Sequence, residues 1–311
     1  DGTLLVGDSL YELVLACLGK QPFLLFLLPF WLLRGKAALK DRLAQAMDPA
    51  RLTFVFHLPF LAFLQAERAQ GRHIVLATAA DHRVAEAVAA RIGLFDAVMA
   101  TRPGHNLRGP AKAQALVDRF GLRGFDYAGN DRHDLPVWAV ARAAIVVAPR
   151  RSSIAARAAG VTRVDRVFTT AGLTLRPLLR ALRPHQWAKN ALVFLPVIAA
   201  HQLTDTVALG HAALAFVALS LVASAGYLVN DLLDLQSDRA HPRKRARPFA
   251  SGDLPVPAGP PLVLLLLVAG FTIAAAVSWL LLGGIPLYLV SPRPFSTGLS
   301  PRGLSAASGW P

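Results

Sequence analysis

Residues 230–248 read NDLLDLQSDRAHPRKRARP: Asn230 and three carboxylates, then five cations, all at the close of an apolar run. From Val207 to Val229 that run holds no Asp, Glu, Lys or Arg. About 20 apolar residues suffice to cross a bilayer, so the run reads as a membrane span that ends in acid. At about 100° per residue, Asp231, Asp234 and Asp238 fall within about 60° of one another, with Asn230 at the edge of the same face. Carboxylates that close repel one another unless a cation sits among them. Ionisable groups beside a bilayer are costly and normally face a cavity. Oxygen donors with an amide suit Mg²⁺, which keeps waters and bridges to phosphate oxygens. The cations that follow, notably Arg239, Lys244 and Arg247, suit the phosphate itself. The plainer reading is a juxtamembrane loop whose acids are solvated and whose bases only set topology.

The surrounding segments extend the membrane reading. Leu254–Pro292 contains no Asp, Glu, Lys or Arg. Asn190–Thr204 is shorter, and reaches spanning length only if its helix begins near Arg183 and tilts. Together these imply about three spans of an all-α multi-span transmembrane domain at 175–292. The formal net charge is +14, and five of the nine residues in Arg239–Arg247 are Lys or Arg. Such a loop beside a span stays on the cytoplasmic side. The pattern therefore predicts an integral, multi-pass protein of the inner or plasma membrane, with the Asp-rich loop facing the cytoplasm. RNA-type aromatic and glycine signatures are lacking, so no nucleic-acid partner is expected. The lone Cys17 excludes an internal disulfide and fits a reducing compartment. Residues 293–311 are rich in Ser, Pro, Gly and Arg without periodicity. They read as an irregular tail, either linker or out-of-frame translation, of a fragment clipped at both ends.

Up to about residue 160 the pattern changes. Short apolar runs at His73–Thr78, Phe95–Ala100, Phe125–Gly129 and Ala144–Ala148 alternate with helical stretches at His82–Ile92 and Ala111–Phe120. This predicts an α/β doubly wound domain with a parallel sheet, joined to the membrane half by a linker at 161–174. Sites in such folds lie at the carboxyl ends of strands. Thr78, Asn130, Asp131 and Asp134 stand at such ends, Lys112 opens a helix, and Asp1-Gly2-Thr3-Leu4 reads as the turn after a first strand. Carboxylates with one Lys and one hydroxyl suit Mg²⁺-assisted phosphoryl transfer. Taken singly, each is more often a cap or a turn residue. The stretch QPFLLFLLPFWLL (21–33) is too short to span and contains Pro29. It reads as a cap helix over the site or as an interfacial helix with Trp31 at the headgroups.

The motifs DGTLL (1–5), VLATAAD (75–81), GPAK (109–112) and YAGNDRHDLPVW (127–138) stand in the order and spacing of the haloacid dehalogenase-like phosphatases, which this region resembles. The resemblance implies that Asp1 is the general acid/base of a D-x-D-G-T motif whose nucleophile would precede the present first residue. It also implies that Thr78 and Lys112 bind phosphate and that Asp131 and Asp134 hold Mg²⁺. Asn130 replaces an Asp common in the family. A P-type pump, which shares the fold, would need D-K-T-G-T and a nucleotide domain; neither is present.

The second half resembles the UbiA superfamily of intramembrane prenyltransferases through its N-D-x-x-D-x-x-x-D motif, the basic run after it, and LRPHQWAKN (182–190). That resemblance implies Mg²⁺ held by Asn230, Asp231, Asp234 and Asp238, and a polyprenyl (di)phosphate held by Arg183, Lys189, Asn190, Arg239, Lys244 and Arg247. Trp187 reads as an interface anchor. The implied reaction moves a polyprenyl group from such a lipid, or a phosphoribosyl group onto it, and the acceptor is left open. The alternatives are a non-catalytic regulatory role for the phosphatase-like domain, or an inactive fragment.

Overall fold

The computed structural model describes residues 1–170, 172 and 174–290, so the expected tail at 293–311 lies outside the described residues. Helices α1 (Ser9–Lys20), α2 (Leu24–Leu33), α3 (Lys36–Ala46) and α4 (Leu58–Ala69) come first. An α/β series follows: β1 (Val75–Asp81), α5 (His82–Ile92), β2 (Ala97–Thr101), α6 (Pro110–Phe120), β3 (Asp126–Gly129), α7 (Leu135–Val140), β4 (Ala143–Pro149), α8 (Ile154–Ala159) and β5 (Arg163–Thr170). Every ladder is parallel, as the helix between successive strands requires. The backbone hydrogen bonds form two sheets among the described residues, β1–β2 and β3–β4–β5.

Local chemistry explains the boundaries. Asp81 caps α5 by accepting from the Arg83 N–H at 3.0 Å, and Gly93 ends it in the left-handed region at φ 70°. Nothing lies within 4 Å of a Cβ added at Gly93. Gly93→Ala is therefore expected to cost only the backbone strain, about 1 kcal/mol, measurable by chemical denaturation. Strand β1 runs to Asp81, past the expected end at Thr78. Its pairing with β2 is irregular between Ala77 and Asp81, which leaves Thr78 in a distorted stretch. The expected linker contains β5, whose alternating half-buried and exposed residues mark an edge strand on β4.

Two apolar clusters hold this region together. One joins α1, α3 and α4 to β4 through Leu13, Leu43, Phe60, Phe63 and Val147. The other surrounds Trp138, whose indole N–H donates to the Tyr127 carbonyl at 3.0 Å. Cys17 is buried in the first cluster, and burial pushes its thiol up to about 11 from 9.0. The thiol thus stays protonated. Its contribution to stability is complete below pH 9 and is lost as pH rises toward 11. An alkylating reagent at neutral pH is expected to spare Cys17 in the folded chain and to modify it on unfolding.

After α9 (Leu175–Leu182) the backbone enters a 3-10 stretch at Pro184–Phe194, where the sequence suggested the start of a long helix near Arg183. A short α10 (Leu195–Ala199) follows it. Next come α11 (Thr206–Leu233), α12 (Leu235–Ala240), α13 (Pro248–Ser251), α14 (Gly259–Val277) and α15 (Trp279–Val290). Among the described residues two helices are long and apolar enough to cross a membrane, Thr206–Leu233 and Val256–Val277. The uncharged run after Leu254 is thus two helices, broken at Ser278, whose hydroxyl accepts from the Leu280 N–H at 3.2 Å.

The chain divides into two compact units, one of residues 1–184 with 227–264, the other of 185–226 with the described residues from Leu265. The Asp-rich segment therefore packs in the same unit as the α/β region. In the other unit Ala218, Val222, Ala274 and Ile285 form a cluster. There a Cβ on Gly270 would stand 2.7 Å from Val222 Cγ2 and 3.1 Å from the Ala218 carbonyl oxygen, the close helix approach that a small residue permits.

Candidate functional site

The phosphatase-like residues line one cavity of about 830 Å³, which also borders Val75–Ala77 of β1 and Asp126–Ala128 of β3. Asp1, Thr78, Lys112, Asp131 and Asp134 all contribute to its wall. The Thr3 hydroxyl donates to Asn130 Oδ1 at 3.1 Å, which brings the first motif beside the fourth. The Asp1 carboxylate accepts from the Ser9 N–H and hydroxyl at 3.0 and 2.9 Å. Thr78 Oγ1 accepts from the Ala80 N–H at 3.1 Å, so its hydroxyl tightens the distorted end of β1.

Tyr127, to which the sequence assigned no role, sits at the centre of this cavity wall. Lys112 Nζ donates to its hydroxyl at 2.8 Å, and the hydroxyl donates to Asp134 Oδ1 at 3.0 Å. Asp134 Oδ2 accepts from the backbone N–H groups of Asn130 and Asp131 at 2.9 and 3.2 Å, and Asp131 caps the His133 N–H at 2.6 Å. Burial holds the Lys112 ammonium below its ordinary value, with Asp134 opposing, and pushes the Tyr127 hydroxyl well up. Both expected metal-binding acids are thus engaged in local hydrogen bonds.

The second constellation forms where α11 meets α12. Asp231 and Asp238 are buried, two turns apart, and Arg247 bridges them: its Nη1 donates to Asp231 Oδ1 at 3.0 Å and to Asp238 Oδ2 at 2.6 Å. Arg183 Nη2 donates to the same Asp231 oxygen at 2.5 Å, and its guanidinium lies 5.1 Å from the Tyr227 ring centroid. Lys244 Nζ stands 4.0 Å from Asp238 Oδ1, a buried atom without a hydrogen-bond partner. Burial raises the Asp238 carboxyl above the usual range, against the pull of Arg247. Asn230 and Asp234 are half-buried, and the helix breaks at Asp234 between α11 and α12.

Of the other expected phosphate ligands, Arg239 is held by a different acid, and Asn190 and Lys189 belong to the other unit. Arg239 is buried on Glu12, donating to both carboxylate oxygens at 2.7 and 3.0 Å, and also to the carbonyls of Thr53 at 2.5 Å and Ala250 at 3.4 Å. All three nitrogens of its guanidinium therefore donate into protein. Asn190 is buried in the other unit, where its amide donates to the Ser220 hydroxyl and accepts from the Tyr288 hydroxyl, each at 3.1 Å. Lys189 beside it is exposed. Trp187, expected at the membrane interface, donates its indole N–H to the Ser224 hydroxyl at 3.0 Å.

Neither constellation is arranged for Mg²⁺. Among the described residues no group of three or more His, Cys, Asp or Glu side chains converges to hold a metal ion. The acids at 231 and 238 are held by arginines, and Asp134 by Tyr127 and backbone amides. Among the described residues Asp238 Oδ1 is buried without a hydrogen-bond partner and faces the Lys244 ammonium.

Parallel α/β architecture with this cavity, followed by apolar helices that end in acid and base, defines a two-part protein. Comparison with known families identifies both parts. Residues 1–138 match the haloacid dehalogenase-like hydrolase family and residues 191–292 match the UbiA prenyltransferase family. The chain joins a haloacid dehalogenase-like region to a membrane region of the UbiA family. It is 34% identical over 272 residues to the uncharacterized protein y4nM of Sinorhizobium fredii, covering 87% of this chain and 52% of that protein. It is 45% identical over 82 residues to decaprenyl-phosphate phosphoribosyltransferase of Mycobacterium tuberculosis, covering 25% of this chain and 27% of that one. It is 43% identical over 90 residues to nodulation protein NoeC of Azorhizobium caulinodans, covering 29% of each. The chain thus spans about half the length of the first relative and under a third of the other two.

Proposed function

We propose that this protein is a membrane transferase whose substrate is the phosphate head of a polyprenyl lipid, held at the junction of α11 and α12. The observation that carries the reading is the convergence of Arg183, Lys244 and Arg247 on two buried carboxylates at the end of an apolar helix. Guanidinium groups bind phosphate in a planar, two-pronged way. An arriving lipid phosphate would take over donors that now face Asp231 and Asp238. The apolar helix leading into the cluster suits a polyprenyl tail. The basic loop 239–247 would keep the site and the α/β region on the cytoplasmic side.

Mg²⁺ does not fit the acids as they are arranged, since it would require both arginine pairs to open, and no step is assigned to it. Of the two transfers within the family resemblance, phosphoribosyl transfer onto a polyprenyl phosphate is favoured by the relative named decaprenyl-phosphate phosphoribosyltransferase. In that reaction the cations hold the lipid phosphate while one of its oxygens attacks the sugar carbon. Charge on the departing diphosphate would have to be absorbed by further cations.

For the haloacid dehalogenase-like region a second reading has its own support. Asp134 and Lys112 are tied to each other through Tyr127, and Asp1 to Ser9, an arrangement suited to a structural module. The first reading gives this region phosphate release from the lipid product. The Lys112→Ala change, made in a homologue that carries the complete D-x-D-G-T motif, separates the two: unchanged phosphate release supports the non-catalytic module.

The test of the main reading is binding of polyprenyl phosphate to the chain in nanodiscs, with the polyprenyl alcohol as control. The phosphate should bind, the alcohol should not, and Arg247→Ala should weaken the phosphate at least about tenfold, as expected for a lost charged hydrogen-bond donor. Equal binding of phosphate and alcohol would refute it.

A further inference from the structure

Helix α2 is apolar on two faces. Leu24, Leu28 and Trp31, spaced one and two turns apart, pack against the core cluster that joins α1, α3 and α4 to the sheet. The opposite row is open: Phe23, Phe26, Phe30 and Leu33 are 72%, 74%, 65% and 85% exposed. A helix hydrophobic all round is normally buried all round, and a contiguous patch of this kind marks a surface that something else covers.

Three features in the same unit indicate what covers it. First, α1 meets the end of the apolar helix α11. A Cβ on Gly19 would stand 3.0 Å from the carbonyl oxygen of Leu233, the last residue of α11. That helix is long and apolar enough to cross a membrane, so its end lies at the height of the headgroups. Helix α2 begins one short turn after Gly19, and so lies close to that level. Second, the attachment is rigid. The buried Glu12–Arg239 pair fixes α1 to the segment just beyond α11, and Gln236 Oε1 accepts from the Thr53 N–H at 2.8 Å nearby. Third, exposed Lys20 and Arg34 flank α2 at its two ends. Cations at the margins of an apolar face suit anionic headgroups.

We propose that α2 is a monotopic membrane anchor, lying in the boundary between headgroups and acyl chains of the leaflet at the Leu233 end of α11. Phe23, Phe26, Phe30 and Leu33 face the acyl chains, and Lys20 and Arg34 face the lipid phosphates. The α/β region is thereby held against the bilayer by a second contact, separate from the spans. This assignment does not depend on the substrate of the transferase.

The test uses the full chain reconstituted in vesicles of phosphatidylcholine and phosphatidylglycerol. Phe26→Cys, Phe30→Cys and Arg51→Cys are made singly and spin-labelled; buried, protonated Cys17 stays unlabelled. Arg51, whose side chain is 79% exposed on the turn after α3, reports water. Collision with dissolved oxygen should exceed collision with a water-soluble nickel chelate at 26 and 30, and the order should invert at 51. Nickel dominating at 26 and 30 would overturn the proposal by placing the patch in water. Low access to both reagents would overturn it too, because a protein surface, such as a second copy of the chain, would then cover the patch.

Discussion

Glu12→Ala should destabilise the folded chain by about 3–5 kcal/mol, the cost typical of removing one partner from a buried ion pair. The side chains of Arg239 and Glu12 are only 4% and 2% exposed, and the pair is bidentate. Without Glu12 the guanidinium keeps only the carbonyls of Thr53 and Ala250, and its charge is left in a water-poor environment. Replacing both partners with apolar residues, Glu12→Met with Arg239→Leu, should cost far less, since a buried pair and an apolar pair of similar volume are often close in stability. Urea unfolding of the detergent-solubilised chain measures both. Amide exchange over 235–251 should rise in the single variant, because α12 and α13 are then released from α1. Equal stability of Glu12→Ala and the parent would show that the pair contributes nothing.

Arg247→Ala should also cost about 3–5 kcal/mol, for the complementary reason. One nitrogen of Arg247 serves two buried carboxylates, and the remaining oxygen of Asp238 already lacks a partner. Removing Arg247 leaves Asp238 with only Lys244, 4.0 Å away, and leaves Asp231 with Arg183. Arg247→Lys should recover part of the loss, because an ammonium restores charge but cannot reproduce the fork of a guanidinium. If added polyprenyl phosphate stabilises the parent and fails to stabilise Arg247→Ala, the same residue is shown to hold the acids and the ligand. Thermal unfolding with and without the lipid reads both effects together.

The sequence carried the parts of the fold that depend on local chemistry. Helix α5 was legible at both ends because Asp81 caps it and Gly93 stops it. The strands of the α/β region were legible as short apolar runs. Strand β5 was not, because RVDRVFTT alternates charge with apolar residues on a half-exposed edge and so resembles a linker. The common face of Asp231 and Asp238 was visible in the helical spacing, and Arg247 spans it.

Which of the five cations after Asp238 face inward could not be read from spacing. Arg239 and Arg247 look equivalent in the sequence, yet one is bound to Glu12 and the other to the acids. Glu12 is 227 positions from its partner, and its only local sign is that it stands alone as an acid in an apolar helix. The contacts of Asn190 were hidden for a related reason: its partners, Ser220 and Tyr288, are lone hydroxyls on apolar helices. Tyr127 lay inside a recognised motif, but its link between Lys112 and Asp134 appears only in three dimensions.

Binding of lipid phosphate where α11 meets α12 is the step on which the proposed function rests. Its most direct test is a polyprenyl phosphate carrying a photoreactive group beside the phosphate, crosslinked to the chain in a bilayer and mapped by mass spectrometry. Adducts are expected between residues 227 and 248, displaced by unlabelled polyprenyl phosphate and not by the alcohol. Adducts confined to the α/β cavity, or adducts that the alcohol displaces equally well, would contradict it.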